Sequence, residues 1–217
     1  MTLPNAMKID FVSDVSCPWC AIGLESLEAA LARIGPSLQA ELHFQPFELN
    51  PQMVPEGEDI AEHLARKYGA SPEQGARARE AIRARGAALG FTFRMDRRSR
   101  IYNTFDAHRL LHWAGLEGRQ TELKHALFRA YFTDGDNPGA HDVLLRTAAT
   151  AGLDVDEAQR VLSSGEYARE VREREAVYQS LGIHAVPAVI VNDRHLIQGG
   201  QPVEVFEQAL RQIATAS

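Results

Sequence analysis

The period of apolar and polar positions changes along the chain, and each change marks an element. Met7-Lys8-Ile9-Asp10-Phe11-Val12-Ser13 alternates and carries β-formers, which predicts a strand. Ile22, Leu24, Leu27, Leu31 and Ile34 then recur at helical spacing until Gly35-Pro36 stops the run. Ala40 to Leu49 reads as a second strand, with Pro46 marking an edge, a bulge or the strand's end, since it has no N–H for a ladder. Asn50-Pro51 and Val54-Pro55-Glu56-Gly57 are loop.

From about Asp59 to Leu181 the pattern is almost purely helical. Ile60 opens one helix that ends near Tyr68-Gly69. Ser71-Pro72-Glu73-Gln74 is a capping-box start, and its helix runs to Leu89-Gly90 with a basic solvated side. Phe91 to Met95 is a short extended piece. Further helices are expected from Tyr102 to Trp113 with Gly115 as the terminating glycine, from Thr121 to Phe132, and from Val143 to Ala151. Two more follow, one capped by Asp154 and ended by Gly165, the other from Tyr167 to Leu181. Phe105, Trp113, Phe128, Tyr131 and Phe132 recur at helical spacing and read as core. Strand character returns at Val186 to Val191. Asn192-Asp193-Arg194 turns the chain back into His195-Leu196-Ile197, and Pro202 opens a last amphipathic helix.

The order is thus β-α-β, a helical block, then β-β-α. Each sheet-forming end is too small to fold alone, so one mixed sheet built from both ends is expected. That places a discontinuous domain at 1–56 and 183–217 and a helical insertion domain at 57–182. The fold class is α/β.

Composition narrows the picture. The chain has 217 residues, 45% apolar and 24% charged, with a net charge of −6. That supports a packed core and argues against a nucleic-acid surface, which needs a basic field. No apolar run reaches the roughly 20 residues of a membrane helix. Met1 to Ala6 has neither the basic nor the apolar region of a signal peptide, so a cytoplasmic chain is the default.

Only two cysteines are present, Cys17 and Cys20, and they stand at the first strand-to-helix junction. Pro18 suits the first helical position, which makes Cys17 the cap residue facing unpaired N–H groups and the positive end of the helix dipole. A thiolate there is stabilised and nucleophilic near neutral pH. Cys20, one turn further in, is placed to attack a mixed disulfide. Inert core cysteines would have no reason to take this spacing and place. A zinc site needs two more ligands. His108 and His112, four apart on one helix, are the available pair, but they lack the Glu of a His-Glu-x-x-His pattern. No metal is expected. Trp19 either shapes the approach to the pair or packs. Asp14 either relays a proton to Cys20 or is a plain loop carboxylate. Val186-Pro187 opens a strand whose free edge suits a partner's extended backbone.

These residues carry a resemblance. Ser13-Asp14-Val15-Ser16-Cys17-Pro18-Trp19-Cys20 with Ile22-Gly23, Phe47-Glu48-Leu49-Asn50-Pro51, Ala107-His108-Arg109-Leu110, Leu127-Phe128 with Ala130-Tyr131-Phe132, and Leu181-Gly182-Ile183 with Val186-Pro187 resemble the DsbA-like branch of the thioredoxin superfamily. Within it they resemble the FrnE-like dithiol-disulfide isomerases. The resemblance implies a thioredoxin fold with a helical insertion, a nucleophile at Cys17, a resolving thiol at Cys20 and a cis peptide before Pro187. It also implies substrate contacts at Pro18, Trp19 and Val186, and cysteine-containing protein or small-thiol partners. The chain departs at Ala21, often Tyr in that family, and at Ala185 and Ala188, where Gly and Phe are usual. These departures lie near the substrate groove and bear on partner preference.

Two other classes stay open. The chain also resembles kappa-class glutathione transferases and 2-hydroxychromene-2-carboxylate isomerases, which typically have Ser at the position of Cys17 and lack the second cysteine. Glutathione is then a candidate ligand or reductant in place of any resident cofactor. The third class is a non-catalytic chaperone module using the apolar groove beside Pro187. Oligomeric state is not legible.

Overall fold

Strand β1, Met7–Ser13, is the axis of the molecule, and almost every residue in it is buried. In the computed structural model, which describes residues 6–216, it lies inside a four-stranded sheet. The reading of Met1 to Asn5 as no leader falls outside those residues. Strand β2, Ala40–Pro46, pairs parallel to β1 on one side. Strand β5, Ala188–Val191, pairs antiparallel on the other, and β6, His195–Gln198, closes the far edge. The order β2-β1-β5-β6 is the mixed sheet expected from joining both chain ends.

Alternation along β1 sorts its two faces. Met7, Ile9 and Phe11 enter one core with helices α1, Pro18–Ile34, and α9, Val203–Ala216. Val12 faces the other way, into a cluster with Phe47, Tyr178, Ile183 and Ala188. Phe11 opposes Phe44 in register, with ring centres 5.9 Å apart edge to face.

Between β2 and β5 stand α2, Ile60–Tyr68; α3, Pro72–Ala88; α4, Phe105–Leu116; α5, Gln120–Arg129; α6, His141–Thr150; α7, Val155–Ser163; and α8, Ala168–Ser180. The Ser71/Gln74 capping box forms in both directions, and Asp154 caps α7 through the Glu157 amide. Several boundaries differ from expectation. A two-residue ribbon interrupts the helical block: β3, Glu58–Asp59, pairs antiparallel with β4, Arg100–Ile101. Strand β2 stops at Pro46, where the ladder loses its donor, rather than at Leu49. Helix α4 starts at Phe105 and runs through Gly115; the chain turns instead at Gly118, whose φ of 67° a side chain would strain. Helix α5 gives way at Ala130 to a π-helical turn, Ala130–Asp134, ending at left-handed Gly135. Phe91 to Met95 forms no strand, and β5 begins at Ala188, two residues past Val186.

The block has a core of its own, in which Leu110, Leu123, Leu127, Leu144 and Val161 are central. Val15, from the turn after β1, is inserted into it. Yet Ile82, Phe93, Phe128, Tyr131 and Phe132 of the block pack into the sheet core beside Cys17 and Cys20. The turn that carries the cysteines is therefore clamped between two cores.

Candidate active site

The β1–α1 turn is built by Asp14. One carboxylate oxygen accepts from the Ser16 amide at 3.1 Å and the other from the Leu49 amide at 2.7 Å. Burial works against its charge, but His108, with Nε2 at 3.6 Å, and those two amides hold its pKa below the usual carboxylate value. Arg98 donates to the Ser16 carbonyl from the far side, with its guanidinium over the Tyr131 and Phe132 rings.

Cys17 caps α1 in an extended conformation and Pro18 takes the first helical position. The opening amides of the helix are thus available to the sulfur. The Cys20 thiol and the Cys20 and Trp19 amides hold the Cys17 pKa down, against burial and the Asp14 charge. Cys20 goes the other way: burial, then the neighbouring Cys17, push its pKa well up, with Lys124 opposing. Cys17 retains 4% exposure and Cys20 none, so an approaching sulfur meets Cys17 first. Both are free thiols.

Across from Cys17 lies the loop before β5. The Val186–Pro187 peptide is cis, and the Val186 carbonyl stands 3.7 Å from the Cys17 sulfur. The β5 ladder starts only at Ala188, so Val186 keeps its backbone out of the sheet. His184 and Ala185 are exposed and Val186 is half-buried, forming a strip that leads to the sulfur. Helix α1 can lie this close because residue 23 is Gly: a Cβ there would come within 3.1 Å of the Pro187 ring. Trp19 is 37% exposed beside the strip, with the Arg85 guanidinium 5.7 Å from its ring centre. Arg85 is fixed by the Gly200 carbonyl at 2.9 Å.

The structure therefore gathers Cys17, Pro18, Trp19, Cys20, Val186 and Pro187 at the start of α1 and the loop facing it, with Trp19 exposed, Pro18 and Val186 half-buried, the two cysteines and Pro187 buried, and Asp14 behind them. The two histidines weighed as metal ligands have different neighbours: His108 faces Asp14, and the His112 ring lies tilted with its centre 5.1 Å from that of Tyr167. Among the described residues no group of three or more His, Cys, Asp or Glu is placed to hold a metal. Sequence reasoning missed Arg85, Arg98 and Lys124. Lys124 had a legible signal, since it shares an apolar helix face with Leu127 and Phe128, where a lysine does not belong unless something inside uses it.

A sheet of this topology, with two thiols three residues apart at the start of the first helix and a proline loop opposite, is the arrangement of a thioredoxin-fold thiol–disulfide oxidoreductase. The sequence profile of the DSBA-like thioredoxin domain matches residues 8–211, and the chain belongs to that family. It is 35% identical to a probable DsbA oxidoreductase of Streptomyces coelicolor, covering 97% of this chain and 91% of that one with a TM-score of 0.86. It is 26% identical to the uncharacterised protein YwbO of Bacillus subtilis (strain 168), over 94% of this chain and 96% of the relative. A 2-hydroxychromene-2-carboxylate isomerase, 16% identical with a TM-score of 0.68 over 97% and 99% of the two chains, shares the fold. No helix among the described residues is long and apolar enough to cross a membrane.

Proposed function

We propose that the chain exchanges disulfides with cysteine-containing proteins or small thiols through Cys17, in the manner of a dithiol-disulfide isomerase. The place of Cys17 at the N-terminus of α1, with Cys20 one turn inward and the Val186 carbonyl 3.7 Å from the Cys17 sulfur, carries this reading. The Cys17 thiolate attacks a partner's disulfide sulfur, one partner sulfur leaves, and a mixed disulfide forms. Cys20 then attacks Cys17 and releases the second partner sulfur. The partner's extended backbone lies along His184 to Pro187, with Trp19 and Pro18 flanking its side chains. Asp14, both oxygens bonded to backbone, holds the turn. Glutathione is a candidate small-thiol partner or reductant, and a reducing cytoplasm is a setting in which such a cysteine pair serves redox exchange and not structure.

Cys17→Ser is expected to lower insulin-disulfide reduction by at least ~100-fold, since no thiolate is left to attack. Cys20→Ser is expected to accumulate a covalent adduct visible by mass spectrometry. Full turnover by Cys17→Ser would remove the assignment. The fold shared with the chromene-carboxylate isomerase supports a second, glutathione-dependent reading. Under it, isomerase or transferase turnover would persist in Cys20→Ala, whereas disulfide exchange would not.

A further inference from the structure

The proposed cycle has a proton to place. Cys20 must be ionised to resolve a mixed disulfide, yet burial holds it as a thiol and it has no solvent exposure. At that moment the partner covers the front of the site. Asp14 is poorly suited to take the proton, because against burial His108 and two backbone amides hold its pKa below the usual carboxylate value, which makes it a weak base.

Lys124 projects from α5 into the space behind the cysteines. It has no exposure, and its Nζ has no hydrogen-bond partner in the protein. Its neighbours are the Phe128 and Phe44 rings, 4.8 and 5.8 Å from Nζ. The charges that act on it are Cys20 first, then Asp14 and Cys17. A lysine buried without a carboxylate partner is costly unless its charge is used or can be shed. Behind it opens a cavity of about 200 Å³ between β2, α4 and α5. Lys124 and His108 line its inner wall together with Phe44, and His43, His112 and Arg174 are its other titratable or charged groups. None of Cys17, Trp19, Cys20, Val186 or Pro187 lines it, so a bound partner leaves it open and Cys20 can reach it only by way of Lys124. His108 Nε2, beside Asp14, likewise lacks a hydrogen-bond partner.

We propose that Lys124 carries the proton that Cys20 gives up and takes back, and that the cavity behind β2 is the route of this proton to water. The inference rests on Cys20 being the resolving thiol. In the forward step the Cys20 S–H gives its proton to the Lys124 amine through a bridging water, since Nζ has no hydrogen-bond partner within the protein. The Cys20 thiolate attacks the Cys17 sulfur, the Cys17–Cys20 bond forms, and the Cys17–partner bond breaks. The electron pair leaves on the partner's sulfur as a thiolate, so the partner is reduced and the pair oxidised. The ammonium then releases its proton into the cavity. In reverse, a partner thiolate attacks Cys17, and Cys20 departs as a thiolate that takes its proton from Lys124.

Burial brings the Lys124 pKa down to about 8, against the pull of the Cys20, Asp14 and Cys17 charges. An amine form is therefore accessible near neutral pH. Locking Cys17 into a mixed disulfide deletes one of those anions, which favours the amine at the step that uses it.

The test uses the full chain with 5,5′-dithiobis(2-nitrobenzoate). Attack by Cys17 releases one thionitrobenzoate, and resolution by Cys20 releases a second in a separate phase. Lys124→Met is expected to leave the first phase within about 3-fold and to slow the second on the order of 10- to 100-fold at pH 7, with its pH midpoint moved upward. Lys124→Arg keeps a charge but cannot give up a proton, so it is expected not to rescue the second phase. An unchanged second phase in Lys124→Met, or full rescue by Lys124→Arg, would overturn the proposal. Cys20→Ser separates the two levels: loss of the second phase alone upholds the reading of Cys20, and its persistence would overturn both. Should Lys124→Met fail to fold, nitrogen-detected NMR titration of Lys124 in the native chain decides. A midpoint that falls when Cys17 is alkylated supports the role, and titration like a free lysine near 10.4 refutes it.

Discussion

Glu48 and Glu175 show how far single residues here are pushed from ordinary behaviour. Both are buried against one cation, Arg172, and each keeps one oxygen without a hydrogen bond. Burial raises both carboxyl pKa values, and for Glu48 the neighbouring Glu175 adds to the rise. The folded state thus holds protons that the unfolded chain has already lost above about pH 4.3. Their contribution favours folding in acid and declines as pH rises through the raised folded values, the reverse of a carboxylate in a good ion pair. Glu175→Gln removes the repulsion while keeping an oxygen for Arg172. It is expected to stabilise the protein at pH 7 by on the order of 1 kcal/mol and to have little effect at pH 4. Urea unfolding at the two pH values checks this; equal effects at both would contradict it. The apolar spacing of α8 does not reveal such a pair, because the partner, Glu48, lies far away in sequence after β2. Cys17 and Cys20 are the opposite case. Their spacing after a strand and the Pro between them already state a helix N-terminus, and the polarity of that terminus is local physics.

At the scale of elements, α1 does two jobs: its N-terminus presents the sulfur, and its first turns lie against the Val186–Pro187 loop. The second job depends on missing side chains. A Cβ at residue 23 would press on the Pro187 ring at 3.1 Å and on the Gly200 backbone at 3.3 Å, and one at Gly200 would meet the Trp19 carbonyl at 2.9 Å. Gly23→Ala is therefore expected to destabilise by about 1–3 kcal/mol, as overpacking does, read as a lower denaturant midpoint. Because the loop must retreat, Cys17 alkylation should also change rate, whereas a change in helix propensity alone, which Ala raises over Gly, would leave it alone. Most element positions were legible, since caps such as Ser71-x-x-Gln74 and Asp154 act within a turn. The ribbon of β3 and β4 was not. Two residues carry no readable period, and Glu58 pairs with Ile101 only because the chain between them folds back.

Across the whole molecule, the cysteine turn sits where two cores meet. Phe128 and Tyr131, from the helical block, are buried in the same cluster as Cys20, Phe11 and Leu24 of the sheet half. Tyr131 also donates to the Arg100 carbonyl at 2.9 Å, tying the π-helical turn to the ribbon. Phe128→Ala is expected to cost about 3–5 kcal/mol and to loosen the wall behind the resolving thiol. Because the contacts cross between sheet and block, near-UV circular dichroism and Cys20 labelling should report a single coincident unfolding transition in both the native protein and this variant. Two separated transitions would show that the halves stand independently.

The sequence by itself determined what depends on neighbours along the chain: the strand–thiol–helix junction, the helix caps, the turn at Asn192-Asp193, and the β-α-β and β-β-α ends that could only be completed by each other. Tertiary structure alone decided what depends on distant residues sharing a space. It set the Val186 carbonyl beside Cys17, sealed Cys20 from water while leaving Cys17 a small opening, and placed Lys124 and His108 between the cysteines and a cavity. The reason is physical: capping and periodicity act over a turn or two of backbone, whereas desolvation and charge coupling depend on which side chains meet once the chain has closed.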